Sequence, residues 1–404
     1  MHRGPNHPPT ADWHQQTEPM YPTLYHAVHD LLGLDIGILR MLNSFGFFVA
    51  LAFILASWTL GRELRRMEGL GLLRATVRNQ TIGQPATAGE LIGQGILGFV
   101  LGWKGFFLIT RIDEALADPP AFLLSAQGDV IAGLAVAALL VWLRWRERQK
   151  ARLEEPRTEQ VKVLPHEHAG NITITAAIWG LIGAKLFHWL ENPGEFIAFI
   201  TAPSGGDVIT GLTMYGGLIV AGAMVMRYFK RNGIPIWHGA DAAAPGVMLA
   251  YAVGRIGCQV SGDGDWGIVN TTFLGPGPKW LWQYDYPNNV NGVGIPLTDG
   301  RPCFEGYCTV LPETVFPTPL YETIVCLLFF AGLWALRKRL KPAGSIFFLF
   351  LFLNGLERFF IEKIRVNVHV LGTITQAEII ATLLMLAGLG GLLWIRRKPR
   401  GTAA

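Results

Sequence analysis

Nine long apolar stretches dominate the chain, at about residues 37–60, 90–110, 123–143, 172–191, 208–227, 239–259, 318–336, 344–362 and 374–395. Each is close to the roughly 20 mostly apolar residues with which a helix crosses a bilayer. Few folds are open to such a chain, because in lipid the backbone polar groups must be satisfied within each segment. The reading is an all-α polytopic membrane protein with about nine transmembrane helices. Composition agrees: 50% of the 404 residues are hydrophobic and 16% are charged, against roughly 25% charged in an ordinary soluble domain. That balance excludes a disordered chain, a basic nucleic-acid-binding domain and a plain cytosolic enzyme. The sixth and eighth stretches are interrupted by polar residues, which membrane depth tolerates only under a cover of protein or water.

The net charge is only +4, but the basic residues are sorted. Arg62, Arg65, Arg66, Arg74 and Arg78 follow the first stretch. Arg144, Arg146, Arg148, Lys150, Arg152, Arg157 and Lys162 follow the third. Arg227, Lys230 and Arg231 follow the fifth, Arg337, Lys338, Arg339 and Lys341 the seventh, and Arg396, Arg397, Lys398 and Arg400 the ninth. Lys and Arg accumulate in cytoplasmic loops. These alternate loops and the C-terminus therefore read as cytoplasmic, and the N-terminus as exoplasmic. An even number of spans would break the alternation. The opposite loops are acidic or neutral, as in Asp113, Glu114 and Asp118 of 112–120.

The longest loop, 260–317, is rich in Gly, Pro, Asn, Tyr and Trp and reads as a small exoplasmic cap. Its Cys303 and Cys308 are either a disulfide, which an exoplasmic position permits, or two free thiols. Cys258 and Cys326 read as small packing residues. Residues 1–36 are polar, rich in His and Pro, and do not resemble a cleavable signal peptide.

Two pairs of stretches resemble each other. Residues 98–107 (GFVLGWKGFF) parallel 179–188 (WGLIGAKLFH), and 128–134 (GDVIAGL) parallel 206–212 (GDVITGL). This reads as a duplicated helix pair. Only the second copy carries His188, Glu191 and Tyr215-Gly216-Gly217, so any chemistry belongs there.

Ionisable residues at membrane depth are expensive and mark functional sites by default. Here they are Lys185, His188, Asp241, Arg255, Arg358 and Glu362. With the orientation above, all but Asp241 fall in the exoplasmic half. Arg358 and Glu362 are four apart, on one helix face, either as a structural ion pair or as part of a site. Arg255 stands between Gly254 and Gly257, small residues that allow a backbone or ligand to approach closely. Two guanidiniums near a membrane interface suit a phosphate, which Arg holds bidentately. The residues alone thus point to a lipid-phosphate site facing outward.

In this order the motifs resemble the prolipoprotein diacylglyceryl transferase family of bacterial inner membranes. The family signature Gly-Arg-x-Gly…Gly is matched by GRIGCQVSGDGDWG at 254–267, and Asp-x-x-Ala-Pro by Asp241, Ala244 and Pro245. YGGL at 215–218 matches His-Gly-Gly-Leu, and GAKLFH at 183–188 the Gly-Gly-Arg-rich span. Downstream come Leu320-Tyr321-Glu322, Arg358 with Glu362, and Gln376. The resemblance covers 37–60 and 172–395. It implies a seven-helix core, with 37–60 as its first helix and 172–395 as the rest, exoplasmic loop 260–317 included. Around it lie the N-terminal segment 1–36, an extra pair at 90–143 and a cytoplasmic tail at 396–404.

The resemblance implies transfer of the diacylglyceryl group of phosphatidylglycerol to the lipobox cysteine thiol of a prolipoprotein, with release of glycerol phosphate. Its partners would be phosphatidylglycerol, prolipoprotein signal peptides and membrane lipids, with no nucleic acid and no cofactor or metal. Arg255 and Arg358 would neutralise the leaving phosphate, and Glu362 would orient Arg358 or take the thiol proton. Lys185, Gly216, Gly217, Asp263, Tyr321 and Gln376 would contact substrate.

Four positions depart from the family pattern, among them Asn354, which replaces the Tyr before Arg-x-x-x-Glu. Tyr215 replaces the His of HGGL, where it can orient a substrate oxygen while His188 supplies a base. Cys258 replaces the signature Asn, and the signature acid is Asp263 or Asp265. Two other readings stand beside the leading one: a related phospholipid-dependent transferase with another acceptor, and a lipid or anion transporter, since repeats are common in transporters.

Overall fold

A computed structural model describes residues 20–117, 122, 125–201, 211–304, 306–366, 369–371 and 374–397. Asp118, the second GDVI segment from 206 to 210, and Lys398 and Arg400 lie outside them. The chain is mostly helical. In order come α1 (Leu24–Leu32), α2 (Ser44–Gly69), α3 (Ala88–Thr110), α4 (Ile112–Ala117), α5 (Val130–Lys150) and α6 (Ala169–Glu191). After these come α7 (Pro193–Thr201), α8 (Met214–Arg231), α9 (Ile236–Ser261), α10 (Thr318–Leu336), α11 (Ser345–Ile361) and α12 (Gln376–Arg397). Among the described residues five helices are long and apolar enough to cross a membrane: α2, α3, α6 with its preceding turn, α10 and α12.

The first expected span starts later and runs further than its hydropathy suggests. Residues 37–41 form a 3-10 turn. Asn43 Oδ1 then accepts from the backbone N–H of Phe45 (2.9 Å) and Gly46 (3.4 Å), a helix cap that fixes where α2 begins. The helix continues past the apolar stretch because Leu60, Leu64 and Met67 keep one face buried, and Glu63 pairs with Arg66.

Among the described residues three two-stranded sheets accompany the helices. The largest pairs β1 (Thr76–Ile82) with β2 (Arg157–Val163), antiparallel from Thr76↔Val163 to Ile82↔Arg157. Both strands are polar segments that hydropathy treats as loops, yet Thr and Val at alternating positions suit a pleated ribbon.

The chain divides into two compact units, Gly61–Ile236 and Met1–Leu60 with Trp237–Ala404. In the first, α3 packs on α5 and α6 on α8. The repeat is visible in this packing. Gly102 and Gly183, aligned in the two copies, each face the backbone of the second helix of their pair. Lys104 of the first copy donates to the carbonyls of Phe122, Ser125 and Gln127 at 2.7, 2.7 and 2.8 Å, tying down the connection. Its counterpart Lys185 is buried, with Nζ 5.2 Å from the Trp189 ring centre.

A Cβ on Gly216 would come 2.6 Å from the Gly183 carbonyl oxygen, and one on Gly217 2.9 Å from that of Gly180. These are backbone atoms that cannot swing away. Gly216→Val is therefore expected to force α6 and α8 apart and cost about 3 kcal/mol or more. A thermal melt in detergent reads this against Gly222→Ala, whose new methyl meets nothing within 4 Å. Equal melting of the two variants would contradict this packing.

In the second unit α9 is the central helix. One face packs Ala244, Met248 and Ala252 against Cys326 and Leu333 of α10 and Ile346 of α11. The other packs Leu249 and Val253 on Ala52 of α2. This cover explains why the sixth stretch tolerates Asp241, Pro245 and Arg255. Asp241 accepts from the backbone N–H of Gly344 (2.6 Å) and Phe347 (2.8 Å), so it caps the start of α11.

Loop 262–317 carries a small core of Tyr284, Tyr286, Leu311 and Val315 that also takes in Met20. Cys303 and Cys308 are joined in a disulfide, which decides between the two readings of that pair. Phe304 within its loop stacks on His26, ring centres 4.8 Å apart, and the Met20 N–H donates to the Pro287 carbonyl at 2.9 Å.

Candidate functional site

The last turns of α9 present Tyr251, Arg255 and Cys258 at successive helical spacings. The segment that follows, Gly262-Asp263-Gly264-Asp265, turns back through left-handed glycines, φ +62° at Gly262 and +96° at Gly264. Only glycine adopts this backbone freely. Gly267 then closes on the chain beyond α11: its N–H donates to the Phe316 carbonyl at 2.9 Å, and the Ile268 N–H to that of Ile364 at 2.8 Å. A Cβ on Gly267 would stand 2.5 Å from the Ile364 oxygen. The final glycine of the signature is thus what allows this approach, which brings Asp265 beside Arg365.

The result is a closed ring of four charges. Arg255 pairs through Nε with Glu322 and through Nη1 with Asp265. Arg365 donates from Nη1 to Glu322 Oε1 at 3.1 Å and from Nη2 to Asp265 Oδ1 at 2.8 Å. Every oxygen of both carboxylates is engaged. The Tyr251 hydroxyl adds a donor to Glu322 Oε2 at 2.6 Å, and the Arg255 guanidinium lies 5.6 Å from the Tyr251 ring centre. Glu322 is fully buried and Arg255 nearly so. Burial alone would raise the Asp265 carboxyl, but Arg255 and Arg365 together hold it below the usual carboxylate range. Burial pushes the neighbouring Asp263 up. The Nε of Arg365 is buried and meets no acceptor among the described residues.

Arg358 forms a separate pair with Glu362 at 3.0 Å. The other Glu362 oxygen accepts from the Thr375 hydroxyl at 2.8 Å. Thr375 and Glu378 cap the start of α12 reciprocally, at 3.2 and 3.0 Å, and Lys363 pairs with Glu378. The end of α11 is thereby fastened to the beginning of α12. A cavity of about 300 Å³ lies between α10 and α11, with Glu322 and Glu357 on its wall among Val325, Phe329, Leu356 and Phe360.

The sequence-derived residues do not gather at one point. Arg255 belongs to the ring, with Asp263 next to it, while Arg358 and Glu362 form the second pair. Tyr321 donates its hydroxyl to the Leu281 carbonyl at 2.6 Å. Gln376 is exposed at the first position of α12. In the other unit His188 Nε2 bonds Glu195 at 2.7 Å, and Tyr215 is half-buried at the start of α8. Gly216 and Gly217 are spent on the contact between α6 and α8 described above.

Glu322, Arg365 and Glu357 escaped the sequence reading. Glu322 is the acid of the Leu320-Tyr321-Glu322 motif, next to Tyr321. Arg365 comes seven residues after Arg358 and three after Glu362, just past the turn that ends α11. Among the described residues Cys258, Asp263 and Asp265 could offer three donors to a metal, all within 4.8 Å. However, Arg255 Nη1 already lies 3.5 Å from the Cys258 sulfur and pairs with Asp265, so a guanidinium supplies the positive charge there.

A family model described as prolipoprotein diacylglyceryl transferase matches residues 130–394. The match includes the ring and the Arg358–Glu362 pair. It begins within the helix pair that the repeat sets apart as extra. Curated relatives agree. A phosphatidylglycerol–prolipoprotein diacylglyceryl transferase of Corynebacterium efficiens is 32% identical over 242 residues, 59% of this chain and 66% of the relative. One of Corynebacterium glutamicum is 30% identical over 276 residues, 68% and 79% of the two chains. One of Dehalococcoides mccartyi is 25% identical over 300 residues, 71% and 97%. With the family model covering more than half of its length, the chain belongs to the prolipoprotein diacylglyceryl transferase family.

Proposed function

We propose that this membrane enzyme transfers the diacylglyceryl group of phosphatidylglycerol to the lipobox cysteine thiol of prolipoproteins, releasing glycerol phosphate. Family membership supplies the reaction. The observation that carries the site is the ring in which Glu322 and Asp265 fix Arg255, while the buried Nε of Arg365 meets no acceptor among the described residues. Preorganised donors of this kind stabilise charge where it develops on a leaving group. In this reading Arg255 faces the leaving phosphate, Arg358 adds a second guanidinium, and Glu362, with both oxygens engaged, orients Arg358. Asp263, Tyr321 and Gln376 border the same unit as substrate contacts.

The sorted basic residues support nine spans in the bacterial inner membrane, with the N-terminus exoplasmic and the C-terminus cytoplasmic. In that arrangement α5, α8, α9 and α11 join the five helices whose length and apolarity suffice on their own. The active face is then exoplasmic, where prolipoprotein signal peptides present their cysteine. The seven-helix core with an extra pair at 90–143 follows from the repeat and the motif order.

Complementation tests the reading. In cells depleted of their own transferase, the full chain is expected to restore thioether-lipidated precursor, seen as a mobility shift on gels. Precursor that stays unmodified although the chain inserts would overturn it and favour a phospholipid-dependent transfer to another acceptor. In the same assay Arg358→Ala is expected to abolish rescue. Lys185→Ala, Tyr215→Phe and His188→Ala test the expectation that those side chains serve substrate or base, which requires loss of rescue in the variant concerned.

A further inference from the structure

We propose that Glu357 is the catalytic base that takes the proton of the acceptor thiol. The proposal rests on the transfer reaction proposed above and assigns a step within it.

Glu357 sits on α11, between Leu356 and Arg358 in the largely apolar run SIFFLFLFLNGLERFFI. It is 6% exposed, and neither carboxylate oxygen has a hydrogen-bond partner among the described residues. Burying a carboxyl in this way costs several kcal/mol, and a phenylalanine or leucine would pack there at no such cost. Among the described residues it completes no ion pair. The ion pairs of Arg255 and Arg365 are with Glu322 and Asp265, and that of Arg358 is with Glu362.

Both Glu322 and Glu357 line the cavity between α10 and α11. The oxygens of Glu322 already hold two guanidiniums and a phenol. Glu357 is therefore the carboxylate on that wall with oxygens free to receive a proton. The charged and titratable groups around it are Tyr251 and Arg255 of α9, Glu322 and Cys326 of α10, Arg358 on its own helix, and Arg365.

The chemistry needs such a group. A cysteine thiol has a free pKa near 8.5, so only about 3% is thiolate at pH 7. In the proposed step the S–H proton passes to a Glu357 oxygen, and the sulfur pair forms the S–C bond to the glycerol carbon. The C–O bond to phosphate breaks, and its pair leaves on the phosphate oxygen beside Arg255. The proton then passes from Glu357 to the departing glycerol phosphate, which restores the carboxylate and closes the balance.

The test uses the full chain in phosphatidylglycerol nanodiscs with a lipobox peptide, assayed at pH 7 and pH 9. Glu357→Gln is isosteric and keeps the packing, so its melting should match wild type. At pH 7 its kcat is expected to fall by about 100-fold, within the range of general-base losses, with KM for the peptide within threefold. At pH 9 about 76% of the thiol is ionised in solution, roughly 25 times more than at pH 7. The deficit should then shrink to about fourfold. Glu357→Asp, which keeps a carboxylate, should recover part of the pH 7 rate.

Transfer by Glu357→Gln within threefold of wild type at pH 7 would overturn the proposal alone. So would a deficit of equal size at both pH values, the mark of a structural role. A wild-type chain that transfers nothing to the peptide would overturn the underlying reaction and this step with it.

Discussion

Arg255→Ala is expected to lower diacylglyceryl transfer by on the order of 10³-fold, the upper end for removing one charge-stabilising donor. Two effects combine. In the proposed reaction the guanidinium meets charge developing on the leaving phosphate, so its loss removes stabilisation that exists only in the transition state. Its removal also leaves Glu322 and Asp265 sharing Arg365 alone, which disturbs the geometry of the survivors. Arg255→Lys separates the two. It restores a positive charge but not the planar fork that reaches Glu322 and Asp265 together, so it should recover insertion and stability but only a small part of the rate. Initial rates with phosphatidylglycerol and a lipobox peptide check this. Wild-type activity in Arg255→Ala would remove the phosphate role from the ring.

Glu322→Ala is expected to be the most destabilising single change in this unit. The side chain is fully buried and accepts from Arg255, Arg365 and Tyr251. Without it, two buried guanidiniums share one carboxylate. Breaking a buried pair by deleting one partner costs about 3–5 kcal/mol, which corresponds to a fall in melting temperature of roughly 10 °C. Glu322→Gln keeps the oxygen acceptor for Tyr251 but loses the charge, and should fall between the two. A melt of the detergent-purified protein measures both. Unchanged melting of Glu322→Ala would mean that Asp265 alone balances both arginines.

Much of this was legible in the chain. Apolar length located the helices, and the two Gly-containing copies located the paired packing at Gly102 and Gly183. The signature at 254–267 located Arg255 and its loop. What escaped was set by contact rather than pattern. Arg365 lies outside any apolar stretch, and its partners, Asp265 and Glu322, are 100 and 43 residues away. Tyr321 and Glu322 are adjacent in one motif but point to different neighbours, a loop carbonyl and the charge ring. Gly216 and Gly217 matched a substrate-binding motif, yet helix contact gives them a sufficient reason of its own. β1 and β2 were hidden because exposed ribbons carry little hydropathy.

The fastening of α11 has a mechanical consequence. Asp241 grips its first turn, and the Glu362–Thr375 bond holds its last. A slide of one helical turn, 5.4 Å, would break both anchorages together. The helix thus acts as a tie rod, with axial motion blocked at either end. Arg358 and Glu357, near its far end, are held at a fixed height, and in the proposed reaction the lipid phosphate would have to reach that level.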